Sequence, residues 1–237
     1  MVSEKVILDV ILAPIAVFLF ISYHIYFYIR LKRNPNSTVF GLSWKAKYAW
    51  TVSMMRDKRD ILAVQTIRNG MMAASSLASL ALLISSALAA FIIGADILKE
   101  PDAELKVLIT VKAYFLVISL LSAFFCFIQA VRNMYQVSYL INVPTELCKS
   151  VSYKTVGKLL VKSQMFYTLG SRCFFFALCL ILWLFGAIAF LCVVVVVLIL
   201  LYFQDTIKKE KELPEDNRNI NEITEAHIDD NLFQSIA

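Results

Sequence analysis

Glycine and proline are scarce in this chain, 6 and 5 of 237 residues, which excludes collagen-like and low-complexity classes. Histidine occurs only at positions 24 and 227, too few for a histidine-based metal centre. The five cysteines form no Cys-x-x-Cys pair and no Cys/His cluster, so they read as small apolar side chains, with Cys148 the one candidate for palmitoylation. There is no Walker loop, no His-Glu-x-x-His, no Gly-x-Ser-x-Gly and no paired-aspartate motif. Charged side chains make up 17% of the chain, against about 25% in a typical soluble domain. In their place stand apolar residues, 59% of the total, and a mean hydropathy of +0.71. That balance is the composition of a membrane protein.

A helix needs about 20 apolar residues to cross a hydrocarbon core of about 30 Å. Four runs meet that length: 6–29, 70–95, 107–131 and 173–203. The first is preceded by MVSEK, which carries no net positive charge, and no Ala-x-Ala cleavage pattern follows, so it reads as a retained span. The fourth holds 31 residues, about 46 Å of helix, so it must tilt, bend near Gly186 or project from the bilayer. The expected fold is an all-α, four-span membrane helix bundle over residues 1–205, followed by an acidic, largely disordered tail over 206–237.

Loop charges give an expected orientation. Nine bases and two acids separate the first two runs, and six bases and one acid separate the last two. The middle connection, DILKEPDAELK, is acid-rich, and from Asp205 onward there are nine acids and four bases. By the positive-inside rule the first and third connections are cytoplasmic, which places both termini outside or in a lumen. Plasma membrane and endomembrane are not distinguished. Glycosylation of the Asn36-Ser37-Thr38 sequon would overturn this orientation.

Within the second run Gly70, Ala74, Ala78, Ala81, Ser85 and Ala89 share one face, suited to close packing inside the bundle or to a seam between two copies. In the first basic loop Trp44, Tyr48, Val52 and Met55 share a helical face. In the second, Lys154, Lys158 and Lys162 form a stripe with Val156, Leu160 and Tyr167 roughly opposite. Both segments read as amphipathic helices lying in an anionic leaflet.

Projected onto one depth, the inner ends of the runs supply Tyr23, His24, Gln65, Arg68, Asn69, Gln129, Arg132, Asn133, Tyr167 and Arg172. Three guanidiniums and an imidazole suit a phosphate or carboxylate, although arginines at helix ends also snorkel to headgroups. Asp9 and Lys112, near the outer ends of the first and third runs, either form an ion pair or snorkel. No acid lies near the centre of a run, which disfavours proton- or sodium-coupled transport.

Several runs together carry a resemblance: Tyr23-His24, Thr38 and Gly41, AVQTIRN at 63–69 with Met71 or Met72, Gly170-Ser171-Arg172, LWLFG at 182–186, and Leu201-Tyr202 ending at Asp205. From about residue 6 to 205 the chain resembles the plant and bacterial membrane family known as domain of unknown function 599. The resemblance implies a four-span membrane protein and supplies no chemistry. Tyr23, His24, Gln65, Arg68, Asn69 and Arg172 fall both in its motifs and in the inner-end constellation.

Three functional classes remain. The favoured one is an oligomeric binding or structural protein holding an anionic lipid or small anion at its cytoplasmic face. The second is an anion channel or transporter with the arginines at its inner mouth. The third is a membrane enzyme similar in topology alone to the four-helix glutathione and eicosanoid enzymes, in which Arg68, Arg132 or Arg172 would hold a carboxylate and Tyr23 or Tyr167 would activate a thiol. The expected partners are the bilayer with its anionic lipids and a second copy of the chain. No nucleic acid, cofactor, metal or catalytic residue is expected.

Overall fold

A computed structural model describes residues 2–94, 103–144, 148 and 150–207. The described residues are helical: α1 (Val2–Arg33), a short 3-10 turn (Pro35–Ser37), α2 (Val39–Arg56), α3 (Asp60–Gly94), α4 (Ala103–Leu140), α5 (Tyr153–Trp183) and α6 (Ala187–Asp205). Five of these, α1, α3, α4, α5 and α6, are long and apolar enough to cross a membrane. The bundle is therefore built from five long helices rather than four.

The fifth comes from the run at 173–203, which is not one span. Its first 11 residues complete α5, the chain reverses through Leu184-Phe185-Gly186, and the rest is α6. The Leu184 and Phe185 amides bond back to the Ile181 and Leu182 carbonyls, and Gly186 opens α6 by accepting from the Phe190 amide. Gly186 has φ +158° and ψ 157°, a region essentially closed to side-chain-bearing residues. Trp183 stacks on Phe190 across the reversal, ring centroids 5.3 Å apart. Of the three ways to accommodate an over-long run, the chain takes the bend, carried to a full reversal.

In space α3 packs on α4, α4 on α5, α5 on α6 and α6 on α1, while α1 also meets α4. At one end of the bundle Asp9, Lys112 and Trp183 meet; at the other, Asp205 and Thr206 lie against Tyr23, Arg30 and Thr38. Five long helices thus run between Asp9 and Asp205, and residues 208–237 of the expected tail lie outside the described residues.

The two basic connections are packed helix. In α2 the buried face is Trp44, Tyr48, Thr51 and Met54, with Val52 and Met55 half-buried, and α2 lies along the first half of α5. Its apolar face is covered by protein, not by an anionic leaflet. The Lys154/Lys158/Lys162 stripe is the exposed side of the first turns of α5, whose Val156 and Leu160 are buried. Thr38 caps α2 by accepting from the Gly41 amide at 3.2 Å. Gly41 is needed there because a Cβ would lie 2.2 Å from the Pro35 carbonyl oxygen.

The small-residue stripe of α3 is consumed within the chain. Ala74, Ala78, Ala81 and Ser85 are buried, with Ala78 and Ala81 against Ala123 and Phe127 of α4. Two larger clusters fill the ends. Leu116, Leu120, Leu180 and Phe190 lie towards Trp183, and Ile67, Met134, Val137 and Val156 lie where α2 joins the bundle. Ser119 donates to the Cys173 carbonyl at 2.9 Å, an interhelical hydrogen bond of the kind that ties apolar helices together.

Candidate functional site

Arg172 sits two-thirds of the way along α5 and is 8% exposed. An arginine in that position needs a counter-charge, because a lone buried cation is strongly penalised. The end of α6 supplies one. Arg172 Nη2 contacts both Asp205 carboxylate oxygens, at 2.8 and 2.7 Å. The Tyr23 hydroxyl donates to Asp205 Oδ2 at 2.7 Å. Arg172 Nη1 lies 3.3 Å from His24 Nε2, and the guanidinium carbon stands 4.5 Å from the centroid of the Phe27 ring.

His24 Nδ1 lies 2.8 Å from the Phe20 carbonyl. A carbonyl only accepts, so Nδ1 carries the proton, which leaves Nε2 as the acceptor for Arg172 and the imidazole neutral. Arg172 and Asp205 then cancel, and every polar group in the cluster has a partner. Adjacent bonds extend the clasp: Arg30 Nη1 donates to Thr206 Oγ1 at 3.1 Å, and Thr206 forms an isolated antiparallel bridge with Thr38. The end of α6 is thereby fastened to the α1–α2 connection.

Of the ten residues expected at one depth, the structure joins Tyr23, His24 and Arg172. Gln65, Arg68 and Asn69 are exposed on α3, and Arg132 is exposed on α4. Gln129 is half-buried, and Asn133 is buried with its Nδ2 lacking a hydrogen-bond partner among the described residues. Tyr167 lines a cavity facing α2 and packs edge-on against Phe127. The anion nearest Arg172 is the chain's own Asp205. Sequence reasoning missed Asp205 because an unbroken fourth span sends it to the opposite face. The available signal was the length of that span, since halving it returns Asp205 to the arginine side.

At the far end Asp9 and Lys112 form the ion pair, at 2.8 Å with both side chains 7% exposed. Trp183 Nε1 donates to Asp9 Oδ1 at 2.9 Å, and Lys112 Nζ also donates to the Trp183 carbonyl at 3.2 Å. One carboxylate thus ties α1, α4 and the end of α5 together.

Beside the Arg172 clasp a groove of about 730 Å³ runs between α1, α2 and α5. Phe27, Leu31, Phe40, Met165 and Leu169 supply apolar walls, His24 and Arg172 lie at one end, and Lys158 and Lys162 project one helical turn apart from the α5 wall.

Residues 11–210 match the model of a family described as "Protein of unknown function, DUF599". No curated protein and no solved structure matches the chain.

Proposed function

Since the chain belongs to the DUF599 family, whose description assigns no activity, we propose from its own geometry that it is a membrane protein that binds an anionic lipid at its basic face. The proposal includes a topology. The basic connections after α1 and after α4 lie at the Asp205 end, so the positive-inside rule puts that end in the cytoplasm and the Asp9 end outside or in a lumen. With five spanning helices Asp9 and Asp205 would lie on opposite sides of the membrane, where four spans would leave them on the same side.

The observation that carries the binding reading is the groove between α1, α2 and α5. Its walls suit acyl chains, and Lys158 and Lys162 are exposed where a headgroup would sit. Each basic side chain near an anionic leaflet contributes about 1 kcal/mol of attraction. A binding role is preferred to a channel because Arg172, the buried member of the supposed anion mouth, is already closed by Asp205. Self-association is not required, since the small-residue face of α3 is occupied by α4.

The test is native mass spectrometry of the full chain purified with its lipids, comparing wild type with the Lys158→Gln/Lys162→Gln double variant. Retained anionic lipid that is lost in the double variant supports the reading. Equal retention by both proteins refutes it.

A further inference from the structure

A second cavity, of about 570 Å³, lies between α2, α3, α4 and α5 and shares no lining residue with the groove. Its walls are largely apolar, formed by Trp50, Ile67, Gly70, Ala73, Met134 and Leu160. Among its lining residues there is one cation, Lys47, and no aspartate or glutamate. Lys47 Nζ donates to Gln164 Oε1, and the Gln164 amide nitrogen is directed to Thr168 Oγ1 at 3.4 Å. Of the three donors on the ammonium, one is used by this neutral acceptor, and among the described residues Gln164 is its one hydrogen-bond partner. Burial pushes the Lys47 amine down to about 8, with no carboxylate to hold it up. Ser43 of α2 and Tyr167 of α5 add hydroxyl-bearing residues to the lining.

Position narrows the occupant. Gly70 and Ala73 begin the unbroken apolar run 70–95, whereas Ser43 and Lys47 belong to α2, which is not among the helices long and apolar enough to cross a membrane. The cavity therefore lies at one boundary of that apolar run, with its cation on the polar side. The volume falls in the range of small-molecule sites, which are mostly apolar with a few convergent polar groups. We propose that this cavity binds an amphiphilic monoanion, an apolar chain ending in one carboxylate or phosphate, with Lys47 as its counter-ion. The site is distinct from the lysine groove and does not depend on it.

Trp50 provides the readout, because bromine atoms on a bound chain quench tryptophan fluorescence on contact. Full-length protein in non-ionic detergent is titrated in separate arms with dibromostearate and with a brominated-chain phosphatidic acid, using Trp50→Phe to identify the signal. Saturable, Trp50-dependent quenching is expected. It should weaken at least about tenfold in Lys47→Gln, the loss of one charge-assisted hydrogen bond, and persist in Lys47→Arg. The arm that saturates tells a free fatty acid from a membrane lipid. Ala73→Phe fills the space without touching the charge and should also abolish saturation, so the test survives if Lys47→Gln does not fold. The Lys158→Gln/Lys162→Gln variant should leave the quenching unchanged, which separates this site from the groove. Quenching that is linear in both arms and equal in wild type, Lys47→Gln and Ala73→Phe overturns the proposal.

Discussion

The Asp9–Lys112–Trp183 cluster gives a stability prediction with a definite sign. In Lys112→Met the Asp9 carboxylate keeps its bond from Trp183 Nε1 but loses its counter-charge in a site where both partners are 7% exposed. Leaving one member of a buried pair uncompensated costs about 3–5 kcal/mol. In Asp9→Asn the orphan is Lys112, which still donates to the Trp183 carbonyl and stands 5.3 Å from the Trp183 ring centroid. A desolvated cation over tryptophan recovers up to about 2 kcal/mol, so this variant should lose less than Lys112→Met. The double variant Asp9→Asn/Lys112→Met removes both charges, keeps an acceptor for Trp183 and should fall within about 2 kcal/mol of wild type. The assay is dodecyl-sulfate unfolding in mixed micelles followed by tryptophan fluorescence, read as a double-mutant cycle. Expected coupling exceeds about 2 kcal/mol. If the double variant loses the sum of the two single losses, Asp9 and Lys112 act independently as snorkelling caps and the inferred tie between α1, α4 and α5 fails.

Three further outcomes follow from individual contacts. At the clasp, Tyr23→Phe should cost about 1–2 kcal/mol and Arg172→Lys about 2 kcal/mol, because lysine presents a point charge where arginine presents a planar fork; the same unfolding assay measures both. Lys58 occupies the left-handed position that ends α2, with φ 52° and the Arg59 amide bonded to the Met54 carbonyl, so Lys58→Gly should stabilise the chain by about 1 kcal/mol in that assay. Lys47, held near 8 by burial, is below its ordinary value of 10.5. The folded state therefore binds fewer protons than the unfolded state between those values, and stability should rise with pH from about 8 towards 10. The burden of burying the charged amine is full below pH 8; Lys47→Met should flatten the rise. Burial raises Tyr48 above 10, which gives the opposite slope beyond that pH.

Much of the helical content was legible because each apolar run exceeds the length a membrane requires. The helices nevertheless extend past the runs: α3 starts at Asp60 and α4 ends at Leu140. Hydropathy marks what suits lipid, whereas helix continues wherever another helix covers its face. Trp44 and Tyr48 show the same limit. Their shared face was readable from spacing, but spacing cannot tell a lipid surface from the flank of α5. The small-residue stripe was likewise visible, and only the packed structure shows Ala123 and Phe127 filling it.

At the candidate site, Tyr23, His24 and Arg172 were identifiable as polar groups near the ends of apolar helices. Gln65, Arg68, Asn69 and Arg132 answered the same description and are exposed, because depth along a helix carries no information about its rotation. Lys47 was one basic residue among nine in its loop, with nothing local to mark it.

By itself, then, the sequence determined that this is an all-helical membrane protein with basic connections, because apolar length and charge placement are properties of the chain read in order. The number of long apolar helices, the capture of Arg172 by Asp205 and the cavity around Lys47 were decided by tertiary structure. Each depends on which residues distant in sequence meet. A single reversal at Gly186 moved Asp205 from one face of the bundle to the other, and with it the partner of the buried arginine.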